Sequence, residues 1–342
     1  MKILLTGHAG YIGAVMVPRL LRAGHQVVGL DSDLYAGCDY GPPPAAVPSL
    51  ALDVRDVEVS HCRGFDAVIH LAALSNDPLG DFDPQITYDI NHRASERLAA
   101  CAKAAGVGRF LFSSSCSLYG AAGDEALTEE AAFNPQTPYG ESKILTEQGV
   151  AKLADASFTP VYLRNATVYG ISPRLRADLV VNNLAGYALT TGEVLIKSDG
   201  SPWRPLVHVE DLCHAFETAL AAPRESIHNQ AFNVGRQSEN YRIREVAELV
   251  RKAVPESRVT YAPGASPDTR NYRVDFTKIE TRLPGYRPQW TLENGIADIV
   301  ASYRAHGLTR EEFLGPRYYR IQTVKGRLSD RSLRSDLRVE AA

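Results

Sequence analysis

Short apolar runs alternate with helical patterns along the first 170 residues. Residues 2–6, 26–31, 67–70, 109–113 and 160–164 are brief, rich in Val, Ile, Leu or Phe and bounded by Gly, Asp or Ser, the pattern of strands buried on both faces. Between them, residues 11–23, 84–105 and 138–153 carry helical spacing. Strands alternating with helices build βαβ units, hence a parallel sheet with helices on both sides. The predicted fold class is therefore α/β, a Rossmann-type doubly wound parallel sheet over residues 1–170. Beyond residue 170 proline and glycine become frequent. Helical stretches at 177–189, 208–221 and 243–253 are separated by longer loops, which suits a smaller α+β lobe spanning 171–204 and 236–309. Two sheet-like pieces, RPLVHVEDL at 204–212 and AFNVG at 231–235, are expected to return to the first lobe, so that 205–235 belongs with it. From Arg310 a charged, Arg-rich arm, 310–342, has few apolar positions with which to pack.

Composition narrows the function classes. A chain of 342 residues is ample for two domains and a core without metals or disulfides. It is 44% hydrophobic and 23% charged with a formal charge of −3, so it lacks the positive field of a nucleic-acid binder. No apolar run approaches the roughly 18–20 residues needed to span a bilayer, and MKILLTGHAGYIG breaks into glycines before a signal-peptide core forms. A cytoplasmic protein that leaves membranes alone is expected. The five cysteines, Cys38, Cys62, Cys101, Cys116 and Cys213, are odd in number and form no CxxC pair, which indicates neither a disulfide framework nor a metal site.

The segment Thr6, Gly7, His8, Ala9, Gly10, Tyr11, Ile12, Gly13 follows the first predicted strand and opens the first helix. In such a turn the glycines permit a tight bend, close approach of backbone to a pyrophosphate and close helix–strand packing, while the helix N-terminus offers free N–H groups. Asp31 stands 18 residues after Gly13, at the end of the second predicted strand, where a carboxylate accepts from both adenosine ribose hydroxyls. It would repel a 2′-phosphate, which favours NAD over NADP. Of the sixteen tyrosines only Tyr139 is followed four residues later by a lysine, Lys143, and in a helix that spacing sets both on one face. A neighbouring ammonium and a positively charged nicotinamide favour the phenolate of a tyrosine whose ordinary pKa is about 10. The strand 109–113 runs into Ser113, Ser114, Ser115, Cys116 and Ser117, presenting hydroxyls at the carboxyl end of the sheet, where Ser115 can hold a substrate oxygen.

TGHAGYIG, Asp31, HLAAL, SSSCSLYG, PYGESK and RPLVHVEDL, in this order, resemble the extended short-chain dehydrogenase/reductase superfamily, and within it the nucleotide-sugar epimerase/dehydratase branch. The resemblance covers about residues 1–305. It implies that Gly7, Gly10, Tyr11 and Ile12 border the NAD pyrophosphate, Asp31 the ribose, Asp53 and Val54 the adenine, and Leu71, Ala72, Ala73 and Ser113 the remainder of the cofactor. Ser115, Tyr139 and Lys143 take the family's catalytic positions, and Lys143 also binds the nicotinamide ribose. For a nucleoside-diphosphate sugar it implies Arg204 and Arg270 on the diphosphate, Asp268 near a hydroxyl, Asn183 on a phosphate, and Ser115, Ser117, Thr167 and Asn76 toward the sugar. A homodimer through the helices at 84–105 and 138–153 is the family's precedent.

The family's 4,6-dehydratases carry Asp and Glu after the catalytic Ser or Thr, whereas here Cys116 and Ser117 follow Ser115. Neither supplies a carboxyl acid/base pair. The arrangement is more similar to the 4-epimerases, in which a transient 4-keto sugar turns over before hydride returns to its other face. Dehydratase, decarboxylase or ketoreductase chemistry on the same scaffold is the alternative. A non-catalytic NAD-sensing regulator is another, against which the intact Ser115, Tyr139 and Lys143 set argues. Two positions depart from many epimerases: Thr167 where an Asn is usual, and Ser75 where some place a lysine near the pyrophosphate. Cys116, His70 and His208 are read as packing or backbone-ordering residues, and any single surface arginine as solvated.

Overall fold

The computed structural model describes residues 1–75, 77–121, 125–264 and 271–340, with only the backbone of residues 77 and 78. Its centre is a parallel sheet of seven strands. In spatial order these are Gln230–Val234, Thr159–Asn165, β5 (Arg109–Ser115), β4 (Ala67–His70), β1 (Lys2–Thr6), β2 (Gln26–Asp31) and β3 (Ser49–Ala51). The register aligns Thr6 with Leu30 and His70, His70 with Phe112, and Ser115 with Asn165, so the carboxyl ends form one rim. Because the chain builds outward in one direction from β1 to β3 and then resumes beside β1 at β4, a crevice opens above β1 and β4. Ligands bind at such a switch point. Ile3, Leu4, Leu5, Val68 and Ile69 are fully buried, the reason these strands read as continuous apolar runs rather than alternating ones.

The helix predicted at 84–105 is three segments: a turn at Pro84–Thr87, a wider π-helical stretch at Tyr88–Arg93 and an α-helix at Ala94–Ala104. Asn91 explains the widening. Its side chain accepts from the Leu74 N–H (2.8 Å) and donates to the Leu74 carbonyl (3.0 Å), while its own carbonyl receives the hydroxyls of Ser95 (2.6 Å) and Thr146 (3.0 Å). Side-chain hydroxyls thus replace a missing helical bond, and the loop after β4 is pinned in place. The helix predicted from 177 begins only at Val180, leaving Arg176 and Asp178 in the loop before it. His208 does not enter the helix Val209–Ala221; it caps it, accepting from the Glu210 N–H.

Gln230–Val234 pairs in parallel with Thr159–Asn165 as the outermost strand of the central sheet. Trp203–His208 lies elsewhere, between Thr167–Tyr169 and Asn240–Arg242 in a three-stranded sheet. The C-terminal arm is ordered into helices Arg310–Leu314 and Arg320–Ser329. Its few apolar residues are nearly all consumed: Phe313 and Tyr318 enter the core around the helix Val180–Thr191, and Val324, Leu333 and Leu337 enter the core beneath β1, β2 and β4. Polar pins follow the same path. Arg327 donates to the Asp33 and Leu34 carbonyls, Arg55 to the Asp336 carbonyl, and Arg338 to Asp56.

Candidate functional site

A cleft of about 960 Å³ opens over the carboxyl rim. At its floor Gly7 has φ +72°, and a Cβ there would stand 2.8 Å from the Ala72 nitrogen; one on Gly13 would meet the Gly7 carbonyl at 2.3 Å. Only glycine lets β1, the turn and the loop after β4 approach this closely. The first helix, Tyr11–Arg22, starts at Gly10 without a side-chain cap, leaving its N-terminal amides to face the cleft. Asp31 accepts from the Ala9 N–H (3.1 Å) and the Asp33 N–H (2.9 Å), and burial pushes its carboxyl above the ordinary value. An uncapped helix N-terminus, a cradle that a Cβ would fill and a carboxylate at the end of β2 fit a dinucleotide.

The other residues expected on the cofactor line the same cleft: Ile12, Val54, Leu71, Ala72, Ala73 and Ser113. Two have additional commitments. Tyr11 sends its hydroxyl to the Gly170 carbonyl (2.8 Å), tying the first helix to the strand end at Tyr169. The Asp53 carboxylate, against the effect of burial, is held below its ordinary pKa by Arg55, which binds it through Nε (2.9 Å) and Nη2 (2.6 Å).

Across the cleft, Thr137 caps the helix Pro138–Ala151 by accepting from the Gly140 N–H, and Pro138 fills the first helical position. Tyr139 and Lys143 therefore sit one turn apart, both lining the cleft. Lys143 is 3% exposed. Its Nζ donates to the Ser113 carbonyl (2.8 Å) and lies 4.7 Å from the Phe112 ring centre and 5.6 Å from that of Tyr139. Burial lowers its pKa to about 7, with Glu147 one turn on pulling the other way. Ser115 closes β5; its Oγ accepts from the Ser117 N–H (3.1 Å) and donates to the Ser117 hydroxyl (3.0 Å). Asn165, absent from the sequence reading, joins them: it donates to Ser113 Oγ (2.8 Å), and its buried Oδ1 has no partner among the described residues. The strand predicted at 160–164 extends one residue further than its apolar run, which is what brings Asn165 to the rim.

Beneath these groups lies a buried ion pair. Arg164 binds Glu147 through Nε (3.1 Å) and Nη2 (2.7 Å), and Ser114 donates to the same carboxylate (2.5 Å). Breaking it strands a charge, so Arg164→Met is expected to destabilise the fold by about 3–5 kcal/mol in urea denaturation, with the R164M/E147M double variant recovering most of the loss. Cys116 is fully buried, donates to the Arg164 carbonyl and has its thiol pKa pushed up by burial, which makes it a packing group. His70 bridges Thr6 Oγ1 (2.6 Å) and Ser95 Oγ (2.7 Å). Since Ser95 gives its own proton to Asn91, His70 must donate from Nε2 and accept at Nδ1, and burial holds it neutral with a pKa near 3.

On the other wall, Thr167, Asn183 and Arg204 line the cleft. Asn183 donates to the Ala177 carbonyl (2.7 Å) and to the Tyr319 hydroxyl (3.1 Å), and Arg204 to the Trp203 carbonyl (2.8 Å). Asn76, Asp268 and Arg270 lie outside the described residues. Arg176, which sequence reading passed over as one arginine among many, is buried in the cleft wall. It forms a two-point pair with Asp178 (2.9 and 3.1 Å) and reaches Ser75 Oγ (3.0 Å), placing a cation at the position where a lysine is missing. Among the described residues no group of three or more His, Cys, Asp or Glu is placed to hold a metal ion, and no helix is long and apolar enough to cross a membrane.

A glycine cradle at the switch point of a parallel sheet, facing a Tyr–Lys pair across one cleft, defines a nucleotide-cofactor enzyme of the extended short-chain dehydrogenase/reductase type. The chain belongs to the NAD dependent epimerase/dehydratase family, whose model matches residues 3–235. The UDP-glucose 4-epimerase of Mycolicibacterium smegmatis is 31% identical over 318 residues, a match spanning 89% of this chain and 99% of that protein. The solved UDP-glucose 4-epimerase of Thermotoga maritima with UDP-glucose is similar at a TM-score of 0.77 and 26% identity, covering 89% of this chain and 99% of that one. DesIV, a dTDP-glucose 4,6-dehydratase of Streptomyces venezuelae with NAD bound, is as similar: TM-score 0.77, 26% identity, 91% and 100% covered.

Proposed function

We propose that the protein is an NAD-dependent nucleotide-sugar epimerase acting at C4. The observation that carries this choice within the family is the chemistry after Ser115: Cys116 is sealed in the core and Ser117 offers only a hydroxyl. Among the described residues the carboxylates lining the cleft are Asp31, Asp33, Asp53 and Asp178, the first three on the adenosine side and Asp178 paired with Arg176, so none of these is free to eliminate water from a sugar held at Tyr139.

The glycine turn, Asp31 and Lys143 would hold NAD, which would supply reversible hydride acceptance at the sugar carbon. Tyr139 takes the proton of the 4-hydroxyl and later restores it. The Lys143 ammonium favours the phenolate, and Ser115 turns its proton from the Ser117 hydroxyl to the sugar oxygen when the sugar is bound. Arg204, Asn183 and Thr167 hold the nucleotide-sugar side, with Asn76, Asp268 and Arg270 proposed alongside them. In this reading residues 1–170 with 205–235 carry the cofactor, 171–204 with 236–309 the nucleotide sugar. The helical segments Pro84–Thr87, Tyr88–Arg93 and Ala94–Ala104 and the helix Pro138–Ala151, with Phe82 exposed just before the first, form the face of a cytoplasmic homodimer; light scattering should then return twice the 37.4 kDa chain mass.

Incubation with UDP-, GDP-, ADP-, CDP- and dTDP-sugars, read by proton NMR of the sugar, should redistribute one pair of 4-epimers without net NADH. Steady consumption of NADH or NADPH with a ketosugar, or loss of water from the sugar, would replace epimerisation with the corresponding reaction.

A further inference from the structure

The Arg320 side chain is a buried cation with no salt-bridge partner among the described residues. It comes from the arm, is 1% exposed and lines the cleft. Its Nη2 donates to the Arg174 carbonyl (2.8 Å) and its guanidinium lies 4.7 Å from the Tyr35 ring centre, but Nη1 has no partner among the described residues. The neighbouring charge is Arg176, a second cation, and the nearby carboxylate, Asp178, is already taken by Arg176. Withdrawing a guanidinium from water in this way costs free energy that a bound anion would offset. The open Nη1 is suited to a phosphate oxygen.

The surrounding residues say which end of the cleft that anion occupies. Tyr35 stands four residues after Asp31 in the loop following β2, and Arg176 is bound to Ser75 in the loop following β4. These loops flank the glycine turn after β1. The arm is held there at several points: Arg327 on the Asp33 and Leu34 carbonyls, Arg55 on the Asp336 carbonyl, and Leu337, at φ +60°, buried in the cleft lining that also contains Val54. A leucine in the left-handed region persists only where its surroundings hold it.

We propose that the C-terminal arm supplies Arg320 to the diphosphate of the bound dinucleotide and closes the adenosine end of the cleft over it. This rests on NAD being the cofactor.

The test uses full-length protein freed of NAD, with NAD and UDP affinities measured separately by calorimetry. Arg320→Met should weaken NAD binding about ten- to a hundred-fold, the range of a lost charge-assisted hydrogen bond, with UDP affinity unchanged within two-fold. Arg320→Lys should recover part of the loss, since it keeps the charge and loses the fork. Unchanged NAD affinity, or a loss confined to UDP, would overturn the assignment, the latter giving the guanidinium to the substrate's diphosphate. A wild-type protein that binds no NAD would overturn the cofactor reading itself. Should Arg320→Met fail to fold, the wild type still decides: NAD, but not UDP, should slow tryptic cleavage at the exposed Arg331 and Arg334 of the arm several-fold, and equal rates would refute the closure.

Discussion

Tyr139→Phe is expected to lower kcat for 4-epimer interconversion by about 10²–10⁴-fold, with bound NAD and thermal stability close to wild type. The substitution deletes one oxygen and keeps the ring, which lies on the same helical face as Lys143 and 5.6 Å from its ammonium. Lys143 is anchored independently to the Ser113 carbonyl, so the cofactor side of the site should survive. NMR of the sugar gives the rate, and absorbance of cofactor released on denaturation gives the NAD content. A loss smaller than ten-fold would take proton transfer away from Tyr139.

Lys143→Met should abolish turnover and, in the same molecule, raise stability near pH 6.5. The sign follows from linkage. Burial lowers the Lys143 pKa from 10.5 to about 7, so between those values the unfolded chain holds a proton that the folded chain has released. Wild-type stability therefore rises as pH climbs from about 7 toward 10.5, and below about 7 the full penalty of a buried ammonium applies, on the order of a few kcal/mol. Methionine fills a similar volume and does not titrate. Its advantage in melting temperature, measured on NAD-free protein, should be greatest at pH 6–7 and shrink toward pH 10. An advantage independent of pH, or a less stable variant at pH 6.5, would refute burial as the source of the shift. Function and stability are opposed at this residue, as expected where a charged group is kept dry for chemistry.

How much of this was legible depends on the range of the interaction. The central strands were readable because burial on both faces writes itself into consecutive residues such as Ile3, Leu4 and Leu5. The cradle was readable because its geometry excludes side chains at Gly7 and Gly13. The Tyr139 and Lys143 pair was readable because one helical turn separates them, with Thr137 and Pro138 marking the start. What escaped rests on partners distant in sequence. The π stretch depends on Asn91 meeting Leu74, and Asn165 depends on a strand outlasting its apolar run by one residue. Arg176 and Arg320 were hidden differently: in a chain where only eight of 37 basic residues are lysines, no arginine stands out until its burial is known. The arm's few apolar residues leave open whether it packs or stays mobile, and Phe313, Tyr318, Val324, Leu333 and Leu337 are each buried.

The arm's position also bears on what limits the catalytic cycle. With one end in the core around the helix Val180–Thr191 and the other beside β2, the arm, if it closes over the dinucleotide as proposed, would span the route by which that cofactor enters or leaves. An enzyme that borrows its reductant from a soluble pool must open that route at every cycle, and the opening then becomes part of kcat. An epimerase returns its hydride to the same sugar and ends each turnover with the cofactor in its starting state. For such an enzyme a fastened doorway exacts no kinetic toll: only the sugar nucleotide has to come and go, past Thr167 and Arg204.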